Sequence, residues 1–526
     1  MGPSAGQTAR DKMPLILTAM VLAIVVAFLC SSTATVLHLF PDDAFFYIKT
    51  ANNFARGLGP TFDGVNRTNG FHPLYFLLLA GIATVVPLTG REGLVVPLVL
   101  DNLLSLIGLI CLNRLLRRHG VSFLSRLMVS LLVLFFTGFN DIGVESHLVL
   151  ALLGAYLLVL DRPVHSAMSI VALAVLGILL CMSRLEMHIF VLLAVIVCVT
   201  LPACQRKTWG AAAGATAGGI APPLMALAAY AALNLVWFGH PTSVSSWLKV
   251  GFPGTFNPET NWLPHASIGF KGRFLFFGAV SLITVPVCLK RILAHGSDVS
   301  RVRLSLIFLA LSLYSLAYAI SMLLLSRGAV AGWYCSIPLT AAFAACAIAW
   351  DGWACPRLKQ RISPRVEQAA NILLVLLILI TGTVFLARKF TVFTDENRVN
   401  LALWMKQHLP ANARIFMVDV SGLTGYFSER SVIDGDGLIN SFEYRDYLCS
   451  GRLKQYLLDK HVNYLAANRY NGADELVIRV VLWIRRPQRW VFEHHPKMLA
   501  RFGTYAVFQL TPKDIENSYM AGPVLP

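Results

Sequence analysis

Charge is what this sequence has least of. Only 14% of its 526 residues are Asp, Glu, Lys or Arg, against 56% that are hydrophobic, and the mean hydropathy is +0.64. Ordinary soluble domains carry about 25% charged residues, so the composition excludes a purely soluble protein. Acidic residues are the scarcer sign, 28 against 44 basic, for a net charge of +16. That excess would suit a nucleic-acid partner, but no nucleic-acid-binding motif is present. The cations sit instead in short loops between apolar runs: RLLRRHG after Asn113, Gln205-Arg206-Lys207, the run from Lys290 to Arg303, and Pro356 to Arg365. Such loops are retained on the cytoplasmic side of a membrane. The ten cysteines include no C-x-x-C pair and no metal-ligand spacing. Cys30, Cys181, Cys198 and Cys346 lie in apolar runs, where a thiol serves as a small hydrophobe. Internal repeats and low-complexity tracts are absent. Arg10 and Lys12 precede the first apolar run and no small-residue cleavage site follows it, so the first helix is expected to be retained.

What is present is a series of apolar segments, near residues 14–40, 74–90, 93–113, 122–139, 147–160, 166–183, 187–204, 209–238, 272–289, 303–326, 331–350 and 369–388. With the N-terminus inside, alternation from 122 onward puts Asn140–Ser146, Ser183–Glu186, Gly239–Lys271 and Ser326–Trp333 on the outer face, together with everything after Lys389. Two full crossings between Leu74 and Asn113 would place RLLRRHG outside, against the positive-inside trend. About 11–13 transmembrane helices are therefore expected, with one segment near 74–113 re-entrant, interfacial or broken.

From about Lys389 the long apolar runs cease. ARIFMVDV is strand-like, SGLTGYFSER a turn and short helix, SVIDGDG a second strand and turn, and YLLDKHVNYLAAN a helix entering a strand. DELVIRVVLWIRR, from Asp474, has an amphipathic pattern suited to the membrane surface. The expected organisation is a polytopic α-helical transmembrane domain over 1–388, with an outer-face loop at 41–73, and a small extracytoplasmic α/β domain over 389–526.

The candidate chemistry starts with Asp42 and Asp43, placed where the chain leaves its first apolar run. Phe45, Ile48, Ala51 and Ala55 follow at helical spacing, which suits a surface helix that Gly57 and Gly59 stop. The acids serve either as a helix cap or as a carboxylate general base with a neighbour that orients an acceptor or holds a metal, and the two readings are compatible. Asn69 and His72 sit where a polar loop meets the next apolar segment, as interfacial anchors or as hydrogen-bonding groups to a sugar or phosphate. Arg184 and Glu186, in CMSRLEMHIF, interrupt two apolar stretches with almost no linker. They form either a structural pair or a phosphate site. Glu145, in NDIGVESHL, starts a helix, and Lys249 follows NLVWFGHPTSVSSW. Arg327, Trp333 and Tyr334 occupy another outer loop, and Trp247, Trp262 and Trp333 could stack on sugars or anchor at the interface. Asp434-Gly435-Asp436-Gly437 reads as a turn and lacks the remaining spacing of a calcium loop. The predicted topology brings Asp42, Asp43, His72, Glu145, Arg184, Glu186 and Lys249 to one membrane face, which points to a site there.

These residues resemble the GT-C superfamily of polytopic glycosyltransferases, which take sugars from polyprenyl-phosphate lipids. The distinctive match is Asp-Asp-Ala with its helix, then G-x-G, F-x-x-G and TNGFHPL, across Pro41–Leu74. GVESHL, SRLE, NLVWFGHPTSVSSWLK, GWYCSIP and the tail from Trp404 through YLLDKHVNYL are weaker matches. The chain looks most like the bacterial branch that includes arabinofuranosyltransferases. The resemblance implies an integral protein of the bacterial inner membrane with its active site on the extracytoplasmic face. It implies inverting transfer of a monosaccharide, with arabinofuranose as one candidate, from a polyprenyl-phosphate donor to a glycan, lipid-linked glycan or protein. It further implies Asp42 as catalytic carboxylate with Asp43 beside it. Asn69, His72, Glu145, Arg184, Glu186 and Lys249 would be substrate-binding, with the lipid phosphate on Arg184 or Lys249. Some relatives use a divalent cation and others do not. The alternatives are a secondary transporter, whose ionisable residues usually lie near the midplane within internal repeats, and a non-enzymatic lipid or glycan assembly subunit.

Overall fold

The computed structural model describes residues 11–138, 141–164, 166–202, 209–250, 268–295, 298–325, 332–354, 356, 363–392, 396–468, 470, 472, 476–480 and 488–522. Arg327, Trp262 and the basic triplet at 205–207 lie outside the described residues. Among those described, six helices are long and apolar enough to cross a membrane, and six more apolar helices are 10–17 residues long.

The first apolar run is not one helix. α1 (Met13–Leu29) stops at Ser31-Ser32, where the Ser32 hydroxyl accepts from the Thr35 N–H and starts the short α2 (Thr33–Leu37). α3 (Asp42–Ala55) follows as expected, ended by Gly57 and Gly59 at φ 82° and 79°. It does not lie openly on a bilayer: nine of its 14 residues are buried, including Tyr47, Asn52 and Asn53. Their polar groups are taken up by neighbouring loops. Asn53 donates to the Thr61 and Phe62 carbonyls at 2.8 and 3.2 Å, so the face that composition marks as solvated is instead covered by protein. Asn66, at the sequon, is 3% exposed and donates to Asp63 at 2.6 Å.

The ambiguity between 74 and 113 is resolved by α4 (Pro73–Ala83), whose 11 residues span only about 16 Å at 1.5 Å each, half of a ~30 Å hydrocarbon core. Both of its flanks return to α3: the His72 N–H donates to the Tyr47 hydroxyl at 3.0 Å and the Leu88 N–H to Asn52 at 3.1 Å. Arg91 reaches the Leu29 and Ser31 carbonyls at the end of α1. α4 therefore does not cross, and α5 (Glu92–Arg118) does. At the far end of α5, Arg117 pairs with Asp11 at 3.3 Å and Arg118 with Asp161 at 3.0 Å, which puts RLLRRHG at the same end of the bundle as the start of α1.

The bundle continues with α6 (Phe123–Val133), α7 (Ser146–Leu160), α8 (Ala167–Ser183), α9 (Met187–Val195), α10 (Trp209–Phe238), the short α11 (Val244–Val250), α12 (Ile268–His295), α13 (Val299–Leu325), α14 (Ser336–Ala349) and α15 (Pro364–Val392). Its main core joins α1, α5, α7, α8, α9 and α13. A second core gathers α3, α4 and the start of α5 around Phe45, Tyr75 and Leu94, and admits Leu423 and Tyr426 from the tail.

In the tail, α16 (Glu396–His408) leads into β1 (Arg414–Met417), α17 (Ser421–Ser428), β2 (Ser431–Asp434), α18 (Phe442–Cys449), α19 (Leu453–Asp459) and β3 (Tyr464–Ala467), much as the sequence pattern predicts. With β6 (Lys497–Phe502) and β7 (Tyr505–Gln509) these strands form a sheet of order β2-β1-β3-β7-β6, parallel across β2, β1 and β3 and antiparallel beyond. The amphipathic stretch expected at the membrane surface is a strand in its described part. In β4 (Leu476–Val480) Leu476, Ile478 and Val480 are buried and alternate with Val477 and Arg479, the period-2 pattern of a half-covered sheet. It pairs antiparallel with β5 (Gln488–Phe492), which pairs in turn with β8 (Tyr519–Ala521).

Candidate functional site

One cavity collects Asp43, His72, Glu145 and Lys249, half of the eight candidate site residues. Its walls are Asp43, Phe46 and Tyr47 from α3, Gly70, Phe71 and His72 before α4, Val144 and Glu145 before α7, and Ser243, Ser245 and Lys249 around α11. Trp333 and Tyr334 complete it before α14, with Leu438 and Ile439 from the tail. Loops that alternation places on one face thus meet at one end of the bundle.

At its base lies a charged group. Arg184 ends α8, is 4% exposed, and sits 3.3 Å from Glu145 while its Nε donates to Glu186 at 2.6 Å. The guanidinium lies 4.9 Å over the Tyr334 ring. Glu145 also accepts from the Tyr47 hydroxyl at 2.9 Å and lies 3.7 Å from His72 Nε2. Burial opposes the charge on Glu186, but Arg184 and His72 outweigh it and hold the carboxyl below its ordinary range. His72 is shifted the other way: burial disfavours its charged form despite Glu145 and Glu186. Among the described residues His72 Nδ1, on the cavity wall, is buried without a hydrogen-bond partner, as are Ser146 Oγ, Ser336 Oγ and Tyr318 Oη on segments outside its lining. Buried polar groups are rarely left so, and a ligand in the cavity would satisfy His72.

Opposite, the Lys249 ammonium donates to the Tyr334 hydroxyl at 2.9 Å. Burial works against its charge, while Tyr334 and Asp43 hold it above the usual lysine range. Asp43 faces this lysine, and burial, reinforced by Asp42, Asp436 and Glu145, pushes its carboxyl up to about 6.

The two adjacent acids are separated by the fold. Asp43 lines the cavity, whereas the Asp42 carboxylate turns to the tail. It pairs with Arg398 at 2.9 Å and accepts the N–H groups of Gly422 and Leu423 at 2.8 and 3.0 Å. Asn69, expected at the substrate, is 3% exposed and fully engaged: its amide donates to Asn234 and the Thr242 carbonyl, and its oxygen accepts from the Val244 N–H at 2.9 Å. It anchors the helix that carries Lys249. Trp247 packs under Arg445 at 4.5 Å, away from the cavity that Trp333 lines.

Sequence reasoning did not identify three contributors. Asp101, in the middle of α5, accepts from Tyr75 at 3.0 Å and from the Gly143 N–H at 2.6 Å, which fixes the loop carrying Glu145. An acid within an apolar run is costly, and that signal was available. Lys49 and Arg398 bind the tail, and their partners are 22 to 381 residues away, so no local pattern marks them. The 434–437 turn is also closer to the site than its motif suggests. The Asp434 carboxylate accepts from Ser421 at 2.7 Å, burial raises both Asp434 and Asp436, and Leu438 and Ile439 close the cavity. Among the described residues no three His, Cys, Asp or Glu side chains converge as a metal set.

Residues 389–510 match a family described as Domain of unknown function (DUF8728). No curated protein matches the chain. Among solved structures the chain is similar to ArnT from Cupriavidus metallidurans bound to undecaprenyl phosphate, at 12% identity across 95% of this chain and 98% of that one, with a TM-score of 0.51. The same protein in its apo state is similar at 11% identity across 95% and 99%, with a TM-score of 0.46. The fold is thus ArnT-like: a polytopic helical integral membrane protein carrying a small sheet domain at its C-terminus, the class expected from the sequence. None of these comparisons bears on the arabinofuranosyltransferase branch.

Proposed function

We propose that this chain is an inverting membrane glycosyltransferase that moves a monosaccharide from a polyprenyl-phosphate donor to an extracytoplasmic hydroxyl acceptor. The observation that carries the reading is the cavity in which Asp43 faces Lys249, with Glu145 on its wall and Arg184 3.3 Å from Glu145, beside the His72 Nδ1 that has no hydrogen-bond partner among the described residues. That a protein of the same fold was solved with undecaprenyl phosphate supports a lipid-phosphate ligand.

In this reading the donor phosphate lies against Lys249 and Arg184, with His72 as a neutral hydrogen-bonding partner. Asp43 accepts the proton of the acceptor hydroxyl as its oxygen attacks the anomeric carbon. The bond from that carbon to the phosphate oxygen breaks, polyprenyl phosphate leaves with the electron pair, and the cations hold the growing charge. Attack opposite the leaving group inverts the anomeric centre. The general base is assigned to Asp43 rather than Asp42, because the Asp42 oxygens are occupied by Arg398 and two backbone N–H groups. Arabinofuranose as the sugar, the bacterial inner membrane as the location and its extracytoplasmic face as the site belong to the same proposal and rest on the motif resemblance.

The test is donor turnover. Purified protein is incubated with short-chain polyprenyl-phosphate sugars and hydroxyl acceptors, with and without EDTA, alongside Asp43→Asn. Release of polyprenyl phosphate by wild type and not by the variant supports the reading, and loss with EDTA that a divalent ion restores assigns a metal. Neither binding nor cleavage of any donor by wild type overturns it.

A further inference from the structure

The tail helix α17 is held at both ends by one face of α3. At its start, the Gly422 and Leu423 N–H groups donate to Asp42, and Val420 supplies no side-chain cap of its own. At its end, the Lys49 ammonium donates to the Gly425 and Arg430 carbonyls at 2.6 and 2.8 Å and lies 4.9 Å over the Phe62 ring. Asp42 and Lys49 are seven residues apart, two helical turns, so they share a face of α3. The acid meets the positive end of α17 and the base its negative end, the signs that complement a helix dipole. Between them Tyr426 packs on Phe45 with ring centroids 5.5 Å apart.

The contact is close and its geometry is particular. A side chain at Gly422 would collide with the Asp42 backbone oxygen, and Asp42 Oδ2 would lie 2.7 Å from its first carbon. Asp419 and Val420, just before the helix, have φ of 62° and 50°, a region that a β-branched residue rarely occupies. Arg398 ties the turn further, bonding both Asp42 at 2.9 Å and the Val420 carbonyl at 3.5 Å. β2 follows α17 directly, and the turn after β2 brings Leu438 and Ile439 to the cavity. There the Leu438 carbonyl sits where a side chain at Gly70 would be.

We propose that Asp42 and Lys49 form a two-ended clamp that fixes the C-terminal domain on the transmembrane domain, so that the 434–439 turn forms one wall of the active cavity. Asp42 is then a positioning residue acting through the tail, and the tail is an integral part of the site. This rests on the glycosyltransferase reading for its kinetic consequence, and not for the clamp itself.

The experiment combines hydrogen exchange with kinetics on the full-length protein in nanodiscs. Asp42→Ala, Lys49→Met and Asp43→Asn are compared with wild type. The clamp predicts that Asp42→Ala raises exchange at the Gly422 and Leu423 amides at least tenfold and that Lys49→Met raises it across 425–430, whereas Asp43→Asn leaves both unchanged. In turnover, Asp42→Ala raises the acceptor KM about tenfold or more while kcat stays within a few-fold of the wild-type value. Wild-type exchange in Asp42→Ala overturns the clamp, and abolition of kcat with wild-type exchange overturns the positioning role. Should Asp42→Ala fail to fold, Lys49→Met carries the exchange test at its own end, and wild-type exchange across 425–430 in that variant overturns the clamp. If wild type releases no polyprenyl phosphate, the exchange arm still decides the clamp while the functional reading fails alone.

Discussion

The two ends of the helical bundle use their described charged groups differently. At the end where α1 begins, several of the described charges have plain partners. Asp11 meets Arg117 and Arg126, Asp161 meets Arg118 and His119, Asp351 accepts from Ser122 and Ser125, and Arg303 donates to the Leu160 and Arg162 carbonyls. At the cavity end, Glu145 is shared among Arg184, Tyr47 and His72, Asp43 and Lys249 face each other without a direct bond, and among the described residues the buried His72 Nδ1 has no hydrogen-bond partner. Paired ends close loops and hold helices in register.

The comparison can be broken or sharpened in order of expected effect. Asp43→Asn should lower kcat for donor cleavage by about 10²–10⁴, the usual worth of a general base, with donor affinity retained in a binding assay. Arg184→Met leaves Glu145 buried beside an apolar group and should cost about 3–5 kcal/mol of stability, with donor binding lost. At the other end, Arg118→Met removes a partly exposed pair worth about 0–1 kcal/mol and should leave turnover at the wild-type level. Thermal unfolding and donor binding on the two variants make the contrast direct, and equal losses would dissolve the distinction between the ends. Lys249→Gln should weaken donor affinity about tenfold, the scale of one charge-assisted hydrogen bond, read as a rise in donor KM.

The smallest effect is the pH dependence. The Asp43 carboxyl is raised to about 6 from the ordinary ~3.9, and a base must be ionised to work. Turnover should therefore climb tenfold per unit up to about pH 6 and level off above it. For stability the sign is opposite: the folded state holds this proton more tightly than the unfolded chain, so the contribution is present below pH ~3.9 and is lost as pH rises through about 6. A flat rate profile between pH 5 and 8 would remove Asp43 as the base.

Much of the site was legible residue by residue. His72, Glu145, Arg184, Glu186 and Lys249 each break an apolar pattern at a predicted loop, and a charge beside hydrocarbon is costly enough to mark itself. Alternation of the later segments then put them on one side. The division of labour between Asp42 and Asp43 was not legible. Neighbours on a helix differ by about 100° in direction, and which direction faces the cavity depends on where the tail docks, through Arg398 and Gly422. Asn69 was misjudged for a related reason: a polar residue at a loop boundary looks available until Asn234, Thr242 and Val244 occupy it. The strand at Leu476–Val480 was read as amphipathic and membrane-facing because alternation and helical amphipathicity are hard to separate over so short a stretch.

By itself, then, the sequence determined a polytopic membrane protein, the order of its helices, a tail of mixed α/β character and the charged residues of the cavity wall, since hydropathy, loop charge and periodicity are local and act along the chain. Only the tertiary structure decided that α4 turns back without crossing, that α3 is buried beneath the tail, and that Asp42 holds the tail while Asp43 faces the cavity. Those outcomes depend on hydrogen bonds between residues tens to hundreds of positions apart, such as Leu88 with Asn52 and Gly422 with Asp42, whose energies no local pattern contains.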